Sequence, residues 1–228
     1  MTNKSSYRTG AMAAIIGSIL SLVANVMHPR PSDITRADVH LREVAEHQGW
    51  YLDHLLLIVS SIVIICGLIF IYRSMYPTPG EGWARMANVM AIISTAVVII
   101  FLAVDGFSLK AAAEAWVNAP PSEMPAAFQA ARAVDQLDSG MFFTWILTFF
   151  VAVPILSGLA VARSGIYPAS LGWVAVVLGI VPFYPVSNMF LHGPNNTAVS
   201  ISITCFLIFS LWVLIMGILL WRKADVLV

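Results

Sequence analysis

Six long stretches of apolar residues, separated by shorter polar segments, dominate the chain. They cover residues 10–27, 51–72, 86–107, 141–162, 171–190 and 199–221. Crossing the apolar layer of a bilayer, roughly 30 Å thick, takes about 20 helical residues. The stretches are continuously apolar and lack the alternation that marks a membrane β-strand. The pattern therefore predicts an all-α protein, a single domain over residues 1–228, that crosses a membrane six times.

Composition favours a membrane protein over a soluble one. Hydrophobic residues make up 59% of the chain and charged residues 11%, whereas a soluble domain carries about 25% charged residues. Folded in water, such a chain would not cover its apolar surface. The expected partner is the lipid bilayer, and partner membrane subunits or self-association remain open.

Nucleic acid and nucleotide are not predicted as partners. The formal net charge is zero, so no overall field attracts a polyanion. The chain also contains neither a glycine-rich phosphate loop nor a cluster of lysines and arginines.

Positive charges are divided unequally between the two sides of the predicted membrane. The segments on the side of the N-terminus hold seven of the twelve cations: Lys4, Arg8, Arg73, Arg85, Arg163, Arg222 and Lys223. Loops rich in lysine and arginine stay in the cytoplasm. We therefore expect both termini in the cytoplasm and the protein in the plasma (inner) membrane. The two polar segments with helical periodicity, residues 34–48 and 125–137, are then amphipathic helices on the outer face.

The chain resembles itself at a spacing of 91 residues. Gly67-Leu68 recurs as Gly158-Leu159, and Tyr76-Pro77 recurs as Tyr167-Pro168. These matches predict an internal repeat of residues 42–83 and 132–173, in a bundle of three helical hairpins. The alternative is chance, because glycine, leucine and aromatic residues are common in membrane helices.

Candidate functional residues lie at the outer ends of the predicted spans. No span carries an ionisable group near its midpoint, which argues against a proton relay or an ion-coupled carrier. All five histidines lie at or beyond the outer ends, and several aspartates lie at the same level. The candidate site residues are His28, His47, Asp53, His54, Asp105, Asp138 and His192.

Three interpretations of these residues remain open. His40, His47 and the loop acids are solvated charges on an amphipathic helix, or His54, Asp53 and Asp105 form a hydrogen-bonded cluster that ties the outer ends together. The third is a metal or haem site of His28, His54 and Asp105, in which haem needs the two histidines face to face. His40, His47 and His54 cannot all bind one ion on a continuous helix, since a spacing of seven separates neighbours by about 10.5 Å.

The leading functional hypothesis is a non-enzymatic membrane protein, either an accessory subunit of a membrane complex or a binder of a small apolar ligand or lipid. One alternative is a metal- or haem-dependent membrane enzyme or redox protein that uses the outer histidines and aspartates. Another is a channel or carrier for a neutral solute. No catalytic motif such as G-x-S-x-G or H-E-x-x-H occurs, and the sequence requires no particular cofactor.

Overall fold

A computed structural model describes residues 4–227, so residues 1–3 and 228 of the predicted domain lie outside it. Within the described range the chain is helical apart from its connecting turns and contains no strand. Six of these helices are long and apolar enough to cross a membrane: Lys4–Met27, Trp50–Arg73, Glu81–Val117, Met124–Ser164, Ala169–His192 and Asn196–Lys223. The predicted all-α, six-span membrane fold is confirmed.

Two of the spanning helices contain a π-helical stretch, so the elements are numbered with these stretches separate. The first four are α1 (Lys4–Met27), α2 (Ala37–Glu46), α3 (Trp50–Arg73) and α4 (Glu81–Ala103), followed by π1 (Val104–Leu109) and α5 (Lys110–Val117). The remainder are α6 (Met124–Trp145), π2 (Ile146–Ala152), α7 (Val153–Ser164), α8 (Ala169–His192) and α9 (Asn196–Lys223). Helix α4 therefore continues through π1 into α5, and α6 continues through π2 into α7.

The spanning helices form a ring in chain order. Helix α1 packs against α3, α3 against α4, α4 against α7, α7 against α8, α8 against α9, and α9 returns to α1. An ion pair between Lys4 Nζ and Asp225 Oδ1, 2.6 Å apart, joins the two ends of the ring. The apolar side chains on the outside of the ring, such as Leu55, Ile92 and Val177, are placed to contact lipid.

Each of the three predicted hairpins is present as a contacting pair of helices. The repeat that would relate them stays a prediction. The two glycines that it aligns have different neighbours. Gly67 packs against Ala14 of the preceding span, whereas Gly158 packs against Gly172 of the following one.

The predicted amphipathic helix of residues 125–137 is not a separate element. These residues form the first part of α6, which runs without a break into the fourth span. The physical reason is that residues 138–141 contain no proline, and Gly140 remains helical. The other predicted amphipathic helix is separate: α2 lies between the Pro31 segment and Gly49.

Helices α2, α5 and the first part of α6 pack on one another at the end of the bundle that carries His28, His54 and Asp105, named here the histidine end. A buried lysine fastens this layer. Lys110, only 4% exposed, donates from Nζ to the carbonyl oxygens of Val44, Ala45 and His47 at 2.9, 2.8 and 3.0 Å. A cation at a helix C-terminus satisfies carbonyls that have no partner within the helix.

Glycine allows α1 and α3 to approach closely. A Cβ atom added at Gly67 would lie 2.4 Å from Ala14 Cα, and one added at Gly17 would lie 2.6 Å from Ile64 N. Lipid chains are as apolar as leucine, so helices associate in a membrane through close van der Waals contact at small residues. The α1–α3 interface has this form.

Replacing Gly67 with alanine should therefore destabilise the bundle by about 1–3 kcal/mol, since backbone rather than a movable side chain meets the new methyl group. The matched control is Gly140→Ala, where no atom lies within 4 Å of the added Cβ and helix propensity favours alanine. Thermal unfolding in detergent measures both. Equal melting temperatures for the two variants would contradict close packing at Gly67.

Candidate functional site

Three polar side chains from three separate segments meet at the histidine end. His28 directly follows α1, His54 lies in the second turn of α3, and Asp105 lies in π1. His54 Nε2 is 2.9 Å from Asp105 Oδ2 and 3.4 Å from His28 Nε2. One ligand atom from each of the three residues lies within 4.8 Å of the others. These are the three residues that the sequence suggests for a metal.

The opposite nitrogen of each imidazole faces a backbone carbonyl. His54 Nδ1 lies 2.6 Å from Trp50 O, and His28 Nδ1 lies 2.8 Å from Pro29 O. A carbonyl oxygen accepts a hydrogen bond, so each Nδ1 carries the proton and donates it. The Nε2 atoms of the neutral rings are then lone-pair donors, and both face the cluster.

The cluster thus brings together three groups of lone pairs, on His28 Nε2, His54 Nε2 and the Asp105 carboxylate, with no hydrogen between them when both imidazoles are neutral. Burial lowers the pKa of His28 and so favours its neutral form, although the nearby Asp105 charge opposes that effect. His54 is completely buried, and Asp105 is 6% exposed. A cation or an added proton is needed to hold these groups at such distances.

Local structure positions each member of the cluster. The indole Nε1 of Trp50 donates to the Asp105 carbonyl oxygen at 2.9 Å, and the Trp50 ring lies against His54 with centroids 4.6 Å apart. Gly106 allows π1 to approach, because a Cβ atom there would lie 2.8 Å from His54 Cβ. π-helical turns inside α-helices are frequent at functional sites, and here the π-turn carries Asp105.

A cavity of about 250 Å³ opens beside the cluster, and His28 and Asp105 are part of its wall. Its apolar wall is mainly aromatic: Phe101, Phe142, Phe143, Trp145 and Phe150. Its polar wall includes Arg30, His40, Asp138 and Asn196. Stacked rings fill the bundle next to the aromatic wall, where Phe150 and Phe206 lie with centroids 4.6 Å apart. The cavity therefore has a polar rim and an apolar interior.

Two buried polar atoms in residues of the cavity wall have no hydrogen-bond partner within the described range, Asp138 Oδ1 and Trp145 Nε1. One is an acceptor and the other is a donor. Leaving a buried polar group unpaired costs about 1–3 kcal/mol, so each of these atoms would gain from a polar partner that the described residues do not supply.

His47, Asp53 and His192 are not members of this cluster. His47 pairs with Asp53, with Nε2 2.9 Å from Oδ2, and so forms a second polar contact near the first. His192 is exposed, and its Nδ1 lies 3.3 Å from Asn188 O of its own helix. Within the described range it is not part of the group that His28, His54 and Asp105 form.

Sequence reasoning overlooked several residues at this end. His40 is not a solvated surface residue, because its Nδ1 lies 2.7 Å from Asp135 Oδ1 and both side chains are nearly buried. Lys110 and Trp50 were not candidates either. The one available signal was the i, i+4 pair of Trp50 and His54, which places an indole and an imidazole on the same face of a helix.

Comparison of the chain with protein-family models, with curated protein sequences and with solved structures finds no match. Any assignment of function therefore depends on the geometry of the site.

Proposed function

We propose that this membrane protein binds one divalent transition-metal ion through His28, His54 and Asp105, and that the ion faces a cavity for a small, largely apolar molecule. The observation that carries the proposal is the convergence of His28 Nε2, His54 Nε2 and the Asp105 carboxylate, with one ligand atom of each residue within 4.8 Å of the others. The function joins ligand binding, the leading hypothesis from the sequence, to the metal-dependent enzyme that was its alternative.

The distances in the cluster fit an ion. Ligands at about 2.0–2.1 Å from a metal, at angles of about 90–110°, lie about 2.9–3.4 Å apart. The two measured separations, 2.9 and 3.4 Å, fall in this range. Metal-binding histidines also donate their second nitrogen to a carbonyl or carboxylate, which fixes the ring. Trp50 O and Pro29 O supply that partner to His54 and His28.

Two histidines and one carboxylate indicate a catalytic rather than a closed structural centre. This set binds zinc with a fourth position left for water, or Fe(II) with open positions. Because His28 and Asp105 belong to the cavity wall, we place the open positions on the cavity side. Haem fits poorly, since an iron between two histidine nitrogens separates them by about 4 Å, whereas these lie 3.4 Å apart.

The cavity suits an apolar ligand with a polar end. A cavity of about 150 Å³ lined by apolar side chains binds benzene, and this one is larger, at about 250 Å³. The packed aromatic rings beyond it favour binding over passage of a solute through the bundle. Lipid surrounds the ring of helices, so an apolar ligand has a ready source.

The second candidate is a purely structural cluster, in which one added proton makes His54 an imidazolium. That ring then donates to Trp50 O and to Asp105, at 2.6 and 2.9 Å. It leaves the lone pair of His28 Nε2 3.4 Å from His54 Nε2, whose single hydrogen already goes to Asp105. A metal ion accepts all three groups, and we prefer it for that reason.

Purified protein should contain about one equivalent of zinc or iron per chain, and chelation should lower its melting temperature until the metal is restored. Asp105→Asn and His28→Ala should each remove most of the metal. Each substitution replaces a proposed metal ligand, and such a loss lowers metal affinity by a large factor. His192→Ala is the matched histidine control and should keep full occupancy. Elemental analysis by mass spectrometry gives the content of each variant.

A metal-free wild type that is unaffected by chelator would reject the metal site and favour the structural cluster. In that case Asp105→Asn should keep most of the fold, because an amide still hydrogen-bonds to His54. Asp105→Leu should then destabilise the protein by about 1–3 kcal/mol by leaving its partner unpaired.

We also propose that the histidine end faces outward from the plasma membrane, with both termini in the cytoplasm, on the basis of the loop charges. Fusions of green fluorescent protein after Thr78 and after Gly165 should fluoresce, and alkaline phosphatase fused there should be inactive. A phosphatase fusion after Pro121 should be active. Reversal at any of the three positions would overturn the orientation.

A further inference from the structure

We propose that Asp138 is the proton-accepting residue of a hydrolytic reaction at the rim of the cavity, and that the substrate is an ester or amide of a small apolar acid. The inference rests on the metal site proposed above and extends it to a substrate class and a reaction.

Asp138 differs from the other buried carboxylates at this end. Asp53 pairs with His47, Asp105 with His54, and Asp135 with His40. Asp138 is only 6% exposed, and its Oδ1 has no hydrogen-bond partner in the part of the chain that the structure describes. Burying an unpartnered carboxylate is costly, and such groups concentrate where chemistry requires them.

The position of Asp138 suits it to act on a group bound at the cluster. It lies in α6 and lines the same cavity as His28 and Asp105. The carboxylate thus shares a cavity with two residues of the proposed metal centre, and no other described side chain bonds to its Oδ1.

A metal ion lowers the pKa of a bound water molecule to about 7, far below that of bulk water. Asp138 accepts one proton from that water, and the oxygen forms a bond to the acyl carbon of the substrate. The bond from the acyl carbon to the leaving oxygen or nitrogen then breaks, and the leaving group takes the proton from Asp138. Water adds across the bond, an acid and an alcohol or amine are released, and no oxidant or reductant is needed.

The wall of the cavity restricts the substrate. An apolar cavity of about 150 Å³ binds benzene. This cavity is larger, at about 250 Å³, so its aromatic rings accept an apolar acyl group somewhat larger than benzene. Trp145 lies two turns beyond Asp138 on α6, and seven residues place both on the same helix face. The unpartnered indole N–H of Trp145 supplies a donor to an oxygen of the substrate.

The zinc-loaded protein in detergent should hydrolyse 4-nitrophenyl esters, with butyrate or octanoate preferred to acetate because the apolar wall binds the longer chains. Asp138→Asn should keep its zinc and its KM but lose about 100-fold or more in kcat, the usual contribution of a positioned acid–base group. Glu123→Gln is the matched control, because this exposed carboxylate at the start of α6 lies outside the cavity wall and should retain activity.

The outcomes separate the two proposals. Zinc bound at one equivalent with no turnover of any of these esters, or with Asp138→Asn as active as the wild type, would overturn the hydrolytic role and leave the metal site standing. A wild type that binds no metal would overturn both. A fall in zinc content and melting temperature of Asp138→Asn together with its rate would assign Asp138 to structure rather than to catalysis.

Discussion

The orientation of one imidazole determines the chemistry of the histidine end. Because His54 Nδ1 donates to the Trp50 carbonyl of its own helix, its other nitrogen presents a lone pair to Asp105 and His28. Two lone-pair donors at 2.9 Å repel each other unless a positive charge lies between them. The hydrogen bond of this single ring within its own helix therefore creates the need for a positive charge, which an added proton or the proposed metal ion would supply.

The surrounding structure restricts the movement of His54 and Asp105, so the two groups stay close together. Trp50 holds both partners, since its indole bonds to the Asp105 carbonyl and its ring lies against His54. Gly106 brings π1 within reach, and Lys110 fixes α2 over the same end. For the proposed metal ion these restrained groups would form a preorganised site, because folding already brings them together.

The sequence predicted the features that depend on local periodicity and depth. Six apolar stretches gave six spans, and the distance of Asp105 from the start of its span placed it at the level of His54. It did not predict π1 or π2, because a π-turn adds a residue to the helix and so changes which side chains share a face. The pairing of His40 with Asp135, 95 residues apart, and the cavity itself depend on how α2 and α6 meet in space. Pattern along one helix carries no information about that contact.

The closure of the ring between α1 and α9 has a consequence for biogenesis. During synthesis α1 enters the bilayer first and α9 last, so one side of α1 remains covered by lipid until the whole chain has been made. That side includes Ala11 and Ala14, against which Gly217 finally packs. Until then the nascent protein is an open arc of helices with a small-residue edge, the kind of surface that recruits another transmembrane helix. Insertion of the last span thus competes with capture of the unfinished arc by neighbours in the membrane.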